Sequence, residues 1–211
     1  MNAKRVTVAA CAALVLGACS FGKPILQPTT YVVDPPMVAA GPGVERRPET
    51  LRMGRVRVAA VYGGNALVYR MDDVRYVSDP YHAFIAEPGA MLGVRMAEWL
   101  DRAGPFETVA QPGNTRSARY VLDATVTEFY GDFRDGQRPA AVLAVQFALI
   151  DRAGARPTVV RERTIASRIE LPQASPDALV RGYGKALAEI LSQLAPELDT
   201  ANLAYAAQKQ R

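Results

Sequence analysis

The chain has 211 residues, with 25 Lys or Arg against 21 Asp or Glu, one histidine, two cysteines and a formal net charge of +4. Basic and acidic residues are interspersed with no basic tract, which argues against nucleic acid as a partner, and a lone histidine excludes a multi-histidine metal site. Apolar residues make up 49% of the sequence, enough for one core of ordinary size.

The chain opens on Lys4 and Arg5 followed by an apolar run from Val6 to Leu16. That run is about 11 residues long, whereas a spanning helix needs about 20, so residues 1–18 are expected to be a signal peptide. Leu16-Gly17-Ala18-Cys19 places a leucine three positions before a cysteine with two small residues between, and resembles the lipobox of bacterial lipoproteins. The resemblance implies cleavage between Ala18 and Cys19 and acylation of the Cys19 thiol, palmitate among the chains. One acyl chain holds a protein marginally, whereas two or three hold it for practical purposes permanently. Cys11 leaves with the peptide and Cys19 is consumed by lipid, so the mature chain has no disulfide to lean on. Ser20 follows the cysteine, where many inner-membrane lipoproteins carry Asp. By the same resemblance the address is the outer membrane, lipid-anchored and facing the periplasm.

Residues 19–53 read as a lipidated N-terminus and tether, with Pro24, Pro28, Pro35, Pro36, Pro42 and Pro48 and no helical period. Proline-rich chain extends by about 3.1 Å per residue and works as a spacer. Thr30-Tyr31-Val32-Val33 is β-branched and aromatic, and Asp34-Pro35-Pro36 would end it, so a short strand is expected there.

A folded domain is expected over residues 54–196. Arg55 to Val61 alternates polar and apolar residues and then turns wholly apolar, as a strand entering a core does. Gly63-Gly64-Asn65 is a turn, and Ala66 to Arg70 resumes extended structure. From Met91 to Ala103 the residues Leu92, Met96, Trp99, Leu100 and Ala103 share one helical face, and Gly104-Pro105 stops the helix. Phe106 to Ala110 forms a short strand. Tyr120 to Tyr130, Ala141 to Asp151 and Val159 to Ile169 are longer strands joined by short turns, the pattern of an antiparallel three-strand meander. Leu143, Val145, Phe147 and Leu149 fall on one buried face of the middle strand. Asp123, Thr125, Thr127, Arg161 and Arg163 mark one side of the sheet as partly wet. Ser175-Pro176-Asp177 is a helix start, and Val180, Tyr183, Leu187, Ile190, Leu191 and Leu194 give that helix its apolar stripe, which Pro196 ends. Residues 197–211 read as a flexible tail. The sum is an α+β single domain, a mostly antiparallel sheet with a three-strand meander and two helices packed on one face.

The order of these pieces carries a family resemblance. Tyr31-Val32-Val33-Asp34-Pro35-Pro36, then Arg57-Val58 leading to Leu67-Val68-Tyr69-Arg70, a Trp-bearing helix, a meander and a closing helix with Ala186-Leu187 resemble the ABC-type transport auxiliary lipoproteins, the PqiC-like partners of MCE lipid transport systems. The motifs are short apolar strings, so the resemblance rests on their order together with the lipobox. It departs at Tyr81-His82-Ala83-Phe84, where that family often has a Trp. The resemblance implies a non-enzymatic lipoprotein with no cofactor that docks the periplasmic end of an MCE-protein tunnel to the outer membrane, so that phospholipid can cross between the membranes. Its partners would be an MCE-domain protein, ABC transporter subunits, phospholipid itself and further copies of the chain. A structural envelope scaffold with no lipid handling is the alternative.

The residues themselves offer little chemistry. His82 reads as a loop or surface histidine, and Asp72-Asp73 as a polar turn, since neighbours on a strand point to opposite sides. Gly182-Tyr183-Gly184-Lys185 hints at a phosphate loop, but Ala186 stands where the hydroxyl residue belongs and the segment lies within a helix. Its small residues are expected to serve close packing. No Gly-x-Ser-x-Gly elbow occurs. Trp99 is expected in the core, and Tyr69 and Arg70 are accounted for equally by strand-end packing and a salt bridge.

Overall fold

A computed structural model describes residues 28–36, 46–115 and 117–199. Strand β1 is Thr29–Tyr31, β2 Arg47–Val58, β3 Ala66–Arg70 and β4 Tyr76–Phe84; helix α1 is Pro88–Ala103; β5 is Phe106–Ala110, β6 Tyr120–Asp132, β7 Ala140–Asp151 and β8 Thr158–Glu170; helix α2 is Pro176–Leu194. The strands form one sheet in which β1, β4, β3, β6, β2 and β5 lie in that order, and β7 and β8 continue from the other edge of β6. The fold is α+β.

The β6–β7–β8 meander is its backbone. β6 pairs antiparallel with β7 along its whole length, and β7 with β8 likewise. Leu143, Val145, Phe147 and Leu149 are at most 1% exposed, the face that alternation assigns to the core. On β6 the apolar period runs Leu122, Ala124, Val126 and then slips to Phe129. A bulge between Val126 and Glu128 absorbs the slip. The extra residue, Thr127, leaves Phe129 on the same face as Val126, and its hydroxyl donates to the Ala144 carbonyl at 3.3 Å.

Both helices lie on this face. α2 packs on β7 and β8, α1 on β2 and β5, and the two touch each other. The stripes expected of them are the residues buried: Leu92, Met96, Trp99 and Leu100 on α1, and Val180, Tyr183, Leu187, Ile190, Leu191 and Leu194 on α2. Ser175 Oγ accepts from Ala178 N at 3.3 Å, and Glu87 caps α1 through Gly89 N and Ala90 N. Stacked Phe84 and Phe129, 5.1 Å apart, meet Tyr183 at the centre of the core. Among the described residues no helix is long and apolar enough to cross a membrane.

Several elements differ from the sequence reading. The first long strand begins at Arg47 within the stretch read as tether, because Leu51 and Met53 alternate inward while Arg52 points away. It ends at Val58. Ala60–Tyr62 is a 3₁₀ turn, which leaves Val61 exposed where the apolar run suggested core. β4 is a strand the sequence pattern does not announce, since Asp79-Pro80 interrupts its alternation; proline is tolerated because the strand lies near the edge of the sheet. Alternation in register puts Arg161 and Arg163, opposite Leu149 and Phe147, on the helix side, away from the Asp123 and Thr125 face. Arg163 meets Glu197 at 2.9 Å. A second 3₁₀ turn, Ala195–Leu198, buries Leu198, and Asp199 bonds Arg47 at 3.0 Å, so the segment after Pro196 is docked at least that far.

Residues 28–36 are docked too. β1 pairs parallel with β4, Thr29 opposite His82 and Tyr31 opposite Phe84, and Val33 is fully buried. α2 admits this segment through Gly184, where a Cβ would stand 2.4 Å from the Asp34 carbonyl oxygen. Gly182 does the same for Leu171 and Ala141. The glycines of Gly182-Tyr183-Gly184-Lys185 are packing glycines inside a helix, as the sequence reading expects.

Candidate docking surface

The β3–β4 hairpin is held by polar clasps and displays apolar side chains. Its turn is closed by Asp72, whose Oδ1 accepts from Val74 N and Arg75 N at 3.0 and 2.7 Å, and by Arg70, which donates to the carbonyls of Asp72 and Asp73. The Val74 and Arg75 amides, with the Arg75 charge, hold the Asp72 carboxyl below its ordinary range. Asp73 Oδ1 accepts from Arg134 at 2.9 Å. Asp72 and Asp73 are therefore turn residues, as expected.

A second clasp joins Tyr69, Asp79 and His82. Tyr69 donates to Asp79 Oδ2 at 2.6 Å, the Tyr81 and His82 amides donate to Oδ1, and His82 Nδ1 lies 2.8 Å from Oδ2. Burial pushes the Asp79 carboxyl upward, but the Tyr69 hydroxyl, the Tyr81 amide and His82 outweigh it and leave it below the ordinary range. Burial and the Asp79 contact push the Tyr69 phenol well above its usual value. A histidine on a carboxylate has the look of an acid–base dyad. Here, however, four donors share the carboxylate, which matches its roughly four lone-pair sites, so Asp79 serves as a knot tying β3 to β4. His82 stands in a strand, partly buried, its ring 6.0 Å from that of Tyr31.

On the other side of the hairpin Tyr62 stacks on Tyr130 at 5.8 Å and Tyr76 meets Tyr130 edge-on at 5.5 Å, with the Arg70 guanidinium over Tyr76. Tyr69 and Arg70 thus both act in fixing the hairpin.

The surface so presented sets exposed apolar side chains beside the charged turn of Asp72, Asp73 and Arg75. Val74 is 89% exposed, Ile85 63% and Tyr81 52%, with Val77 also bare. Of the large hydrophobic side chains exposed among the described residues, most fall between Val61 and Ile85. Concentrated exposure of this kind marks an interaction site more often than scattered exposure does. The backbone adds to it. β1 covers only His82 to Phe84 of β4, and among the described strands nothing pairs with the outer edge of Tyr76 to Ser78. An uncovered edge can accept a further strand.

Ala18 and Cys19 lie outside the described residues. Trp99 is core, 2% exposed. No group of three or more His, Cys, Asp or Glu among the described residues could hold a metal. The hairpin surface was hidden from the sequence because its apolar residues are separated by Asp72-Asp73 and Asp79-Pro80 and follow no period; Tyr76-Val77 and Tyr81 before an apolar Ile85 were the available signal.

Comparison with known proteins accords with this architecture. The sequence model of the ABC-type transport auxiliary lipoprotein component matches residues 31–195. A crystal structure of a DUF330-family protein from Xanthomonas campestris superposes with a TM-score of 0.70 at 16% identity, covering 86% of this chain and 99% of that one. The crystal structure of an uncharacterized protein gives a TM-score of 0.64 at 18% identity, over 82% of this chain and 99% of the other. At such identities the likeness establishes the fold. No curated protein sequence matches the chain.

Proposed function

The chain belongs to the ABC-type transport auxiliary lipoprotein family, and from that premise we propose that it is a non-enzymatic adaptor of an MCE-type intermembrane phospholipid transport system. In this reading Cys19 is acylated after cleavage at Ala18, the protein sits on the periplasmic side of the outer membrane, and it docks the end of an MCE-protein tunnel there. Copies of the chain gather around that end, since a ring-shaped partner favours a symmetric one.

One observation carries the docking role: the β3–β4 hairpin combines exposed Val74, Val77, Tyr81 and Ile85 with an uncovered strand edge. Its clasps at Asp72 and Asp79 keep it rigid, so little ordering entropy opposes binding. It adjoins β1, where the chain coming from the anchor enters the domain. A tether and a contact surface on the same side of the sheet suit a protein that holds a partner close to its own membrane.

Co-purification tests this. Detergent-solubilised protein, expressed together with the MCE-domain protein, is expected to bring that protein down. A clean failure with both expressed would leave the envelope-scaffold alternative. Metabolic labelling with palmitate tests the anchor separately, and the label should disappear in Cys19→Ala.

A further inference from the structure

Two cavities of about 660 and 850 Å³ adjoin at the strand β2 bulge, on the side of the β7–β8 turn, and share Arg52, Gly113 and Arg152 in their walls. None of the hairpin residues contributes. The smaller cavity has an apolar wall of Val56, Pro112, Val121, Ile150 and Pro157. The larger is polar and cationic, with Arg52, Arg119 and Arg152 beside Thr115 and Ser117, and no carboxylate in its lining.

The charges are not equivalent. Arg119 is spent on Asp151 through two bonds of 3.2 and 3.0 Å. No carboxylate among the described residues forms an ion pair with Arg52, Arg55 or Arg152. The two acids that line the smaller cavity are turned onto backbone. Glu87 accepts from Gly89 N and Ala90 N, and Asp123 Oδ1 accepts from Arg55 N at 3.1 Å. Gly54 makes room for that second contact, since a Cβ there would lie 2.0 Å from Asp123 Oδ1. Both carboxylates keep their charge inside the smaller cavity, but their bonds go to backbone amides at the bulge between Met53 and Val56 and at the start of α1, and neither forms an ion pair with Arg52, Arg55 or Arg152.

We infer that this double cavity is a binding site for a phosphate group carried on an apolar body, with Arg52 and Arg152 holding the phosphate and the Val56–Val121–Ile150 wall receiving the apolar part. A guanidinium presents its donors in a planar fork that matches phosphate oxygens two at a time. Two such forks, shared between a cationic cavity and one with an apolar wall, suit an amphiphile whose charged and apolar ends must both be served. A free anion would use only the larger compartment.

Full-length protein in a nonionic detergent is titrated with dihexanoyl phosphatidic acid, with dihexanoyl phosphatidylcholine and with inorganic phosphate, and binding is read by calorimetry. Phosphatidic acid is expected to bind at least tenfold more tightly than inorganic phosphate. Arg52→Gln/Arg152→Gln should weaken its binding at least tenfold, whereas Arg181→Gln on the exposed face of α2 should not. Unfolding of the double variant should stay at the wild-type temperature, which separates loss of the site from loss of the fold. No binding of either anionic probe, or binding unchanged in the double variant, overturns the proposal. Equal affinity for phosphate and phosphatidic acid refutes the amphiphile and reduces the site to an anion site. Failure of the MCE co-purification, by contrast, leaves these results unaffected.

Discussion

Replacing Gly184 by alanine is the sharpest probe of how the N-terminal segment is held. Alanine improves helix propensity by about 1 kcal/mol over glycine, so in an isolated helix the change would stabilise. In α2 the new methyl carbon would lie 2.4 Å from the Asp34 carbonyl oxygen and 3.1 Å from its carbon. Both atoms are backbone, and they cannot swing aside as a side chain can. Restoring ordinary contact needs a shift of about 1 Å between α2 and residues 33–36, and such overpacking costs about 1–3 kcal/mol. If the segment lifts away, burial of Val33, fully enclosed at present, is lost at about 1.5–3 kcal/mol. After the propensity gain the net destabilisation is about 0.5–2 kcal/mol. For a domain of this size that lowers Tm by about 1–8 °C. Thermal unfolding of Gly184→Ala, with Gly136→Ala as the control whose Cβ meets nothing within 4 Å, checks the value. Limited proteolysis should show new cleavage near Tyr31 to Pro36 in the first variant and none in the second. A rise in Tm for Gly184→Ala would mean that propensity alone governs the site and that the tether segment is not pinned there.

Other expectations follow from the same structure. Asp132 is 2% exposed and bonded to Arg134 and Arg168; Asp132→Ala should cost about 2 kcal/mol, measured by urea unfolding, because it strips a buried carboxylate from two partly exposed guanidinium partners. The Arg134 bonds, against burial and helped by Arg168, hold the Asp132 carboxyl well below its ordinary range. A folded value below the unfolded one stabilises fully above about pH 4 and is lost as pH falls further, so wild-type stability should drop more steeply than that of Asp132→Asn between about pH 4 and pH 2. Phe129→Ala empties a site in contact with Phe84 and Tyr183 and should cost about 3–5 kcal/mol in the same assay. Val77→Glu/Ile85→Glu changes exposed side chains only; it should leave Tm within about 2 °C while abolishing co-purification of the MCE-domain protein, and unchanged co-purification would remove the hairpin from the interface.

What the sequence made legible was what periodicity and caps encode. Leu143 to Leu149 alternate at period two and Val180 to Leu194 at helical spacing, and both are buried on those faces. Ser175 caps as its type predicts. The short turns after Gly131 and Arg152 announced the antiparallel meander. The parallel pairings of β2 with β5 and β6, and of β1 with β4, were not legible, because partner choice between distant strands leaves no local signature. β4 escapes a sequence reading for a related reason: its central Asp79-Pro80 has strand-breaking propensity, and pairing with β3 and β1, together with the Tyr69 bond to Asp79, keeps it extended. The arginine-lined cavities could not have been read at all, since Arg52 and Arg152 are a hundred positions apart and only the tertiary fold brings them into the same walls.

The docking claim is tested most directly by site-specific photocrosslinking in cells that express the MCE-domain protein. A photoreactive residue is placed at Tyr81 on the hairpin and, as a reference, at Arg181 on the exposed face of α2. The proposed docking role predicts a covalent adduct with the MCE-domain protein from position 81 and none from position 181. Adducts absent at 81, or equal at both positions, would contradict it.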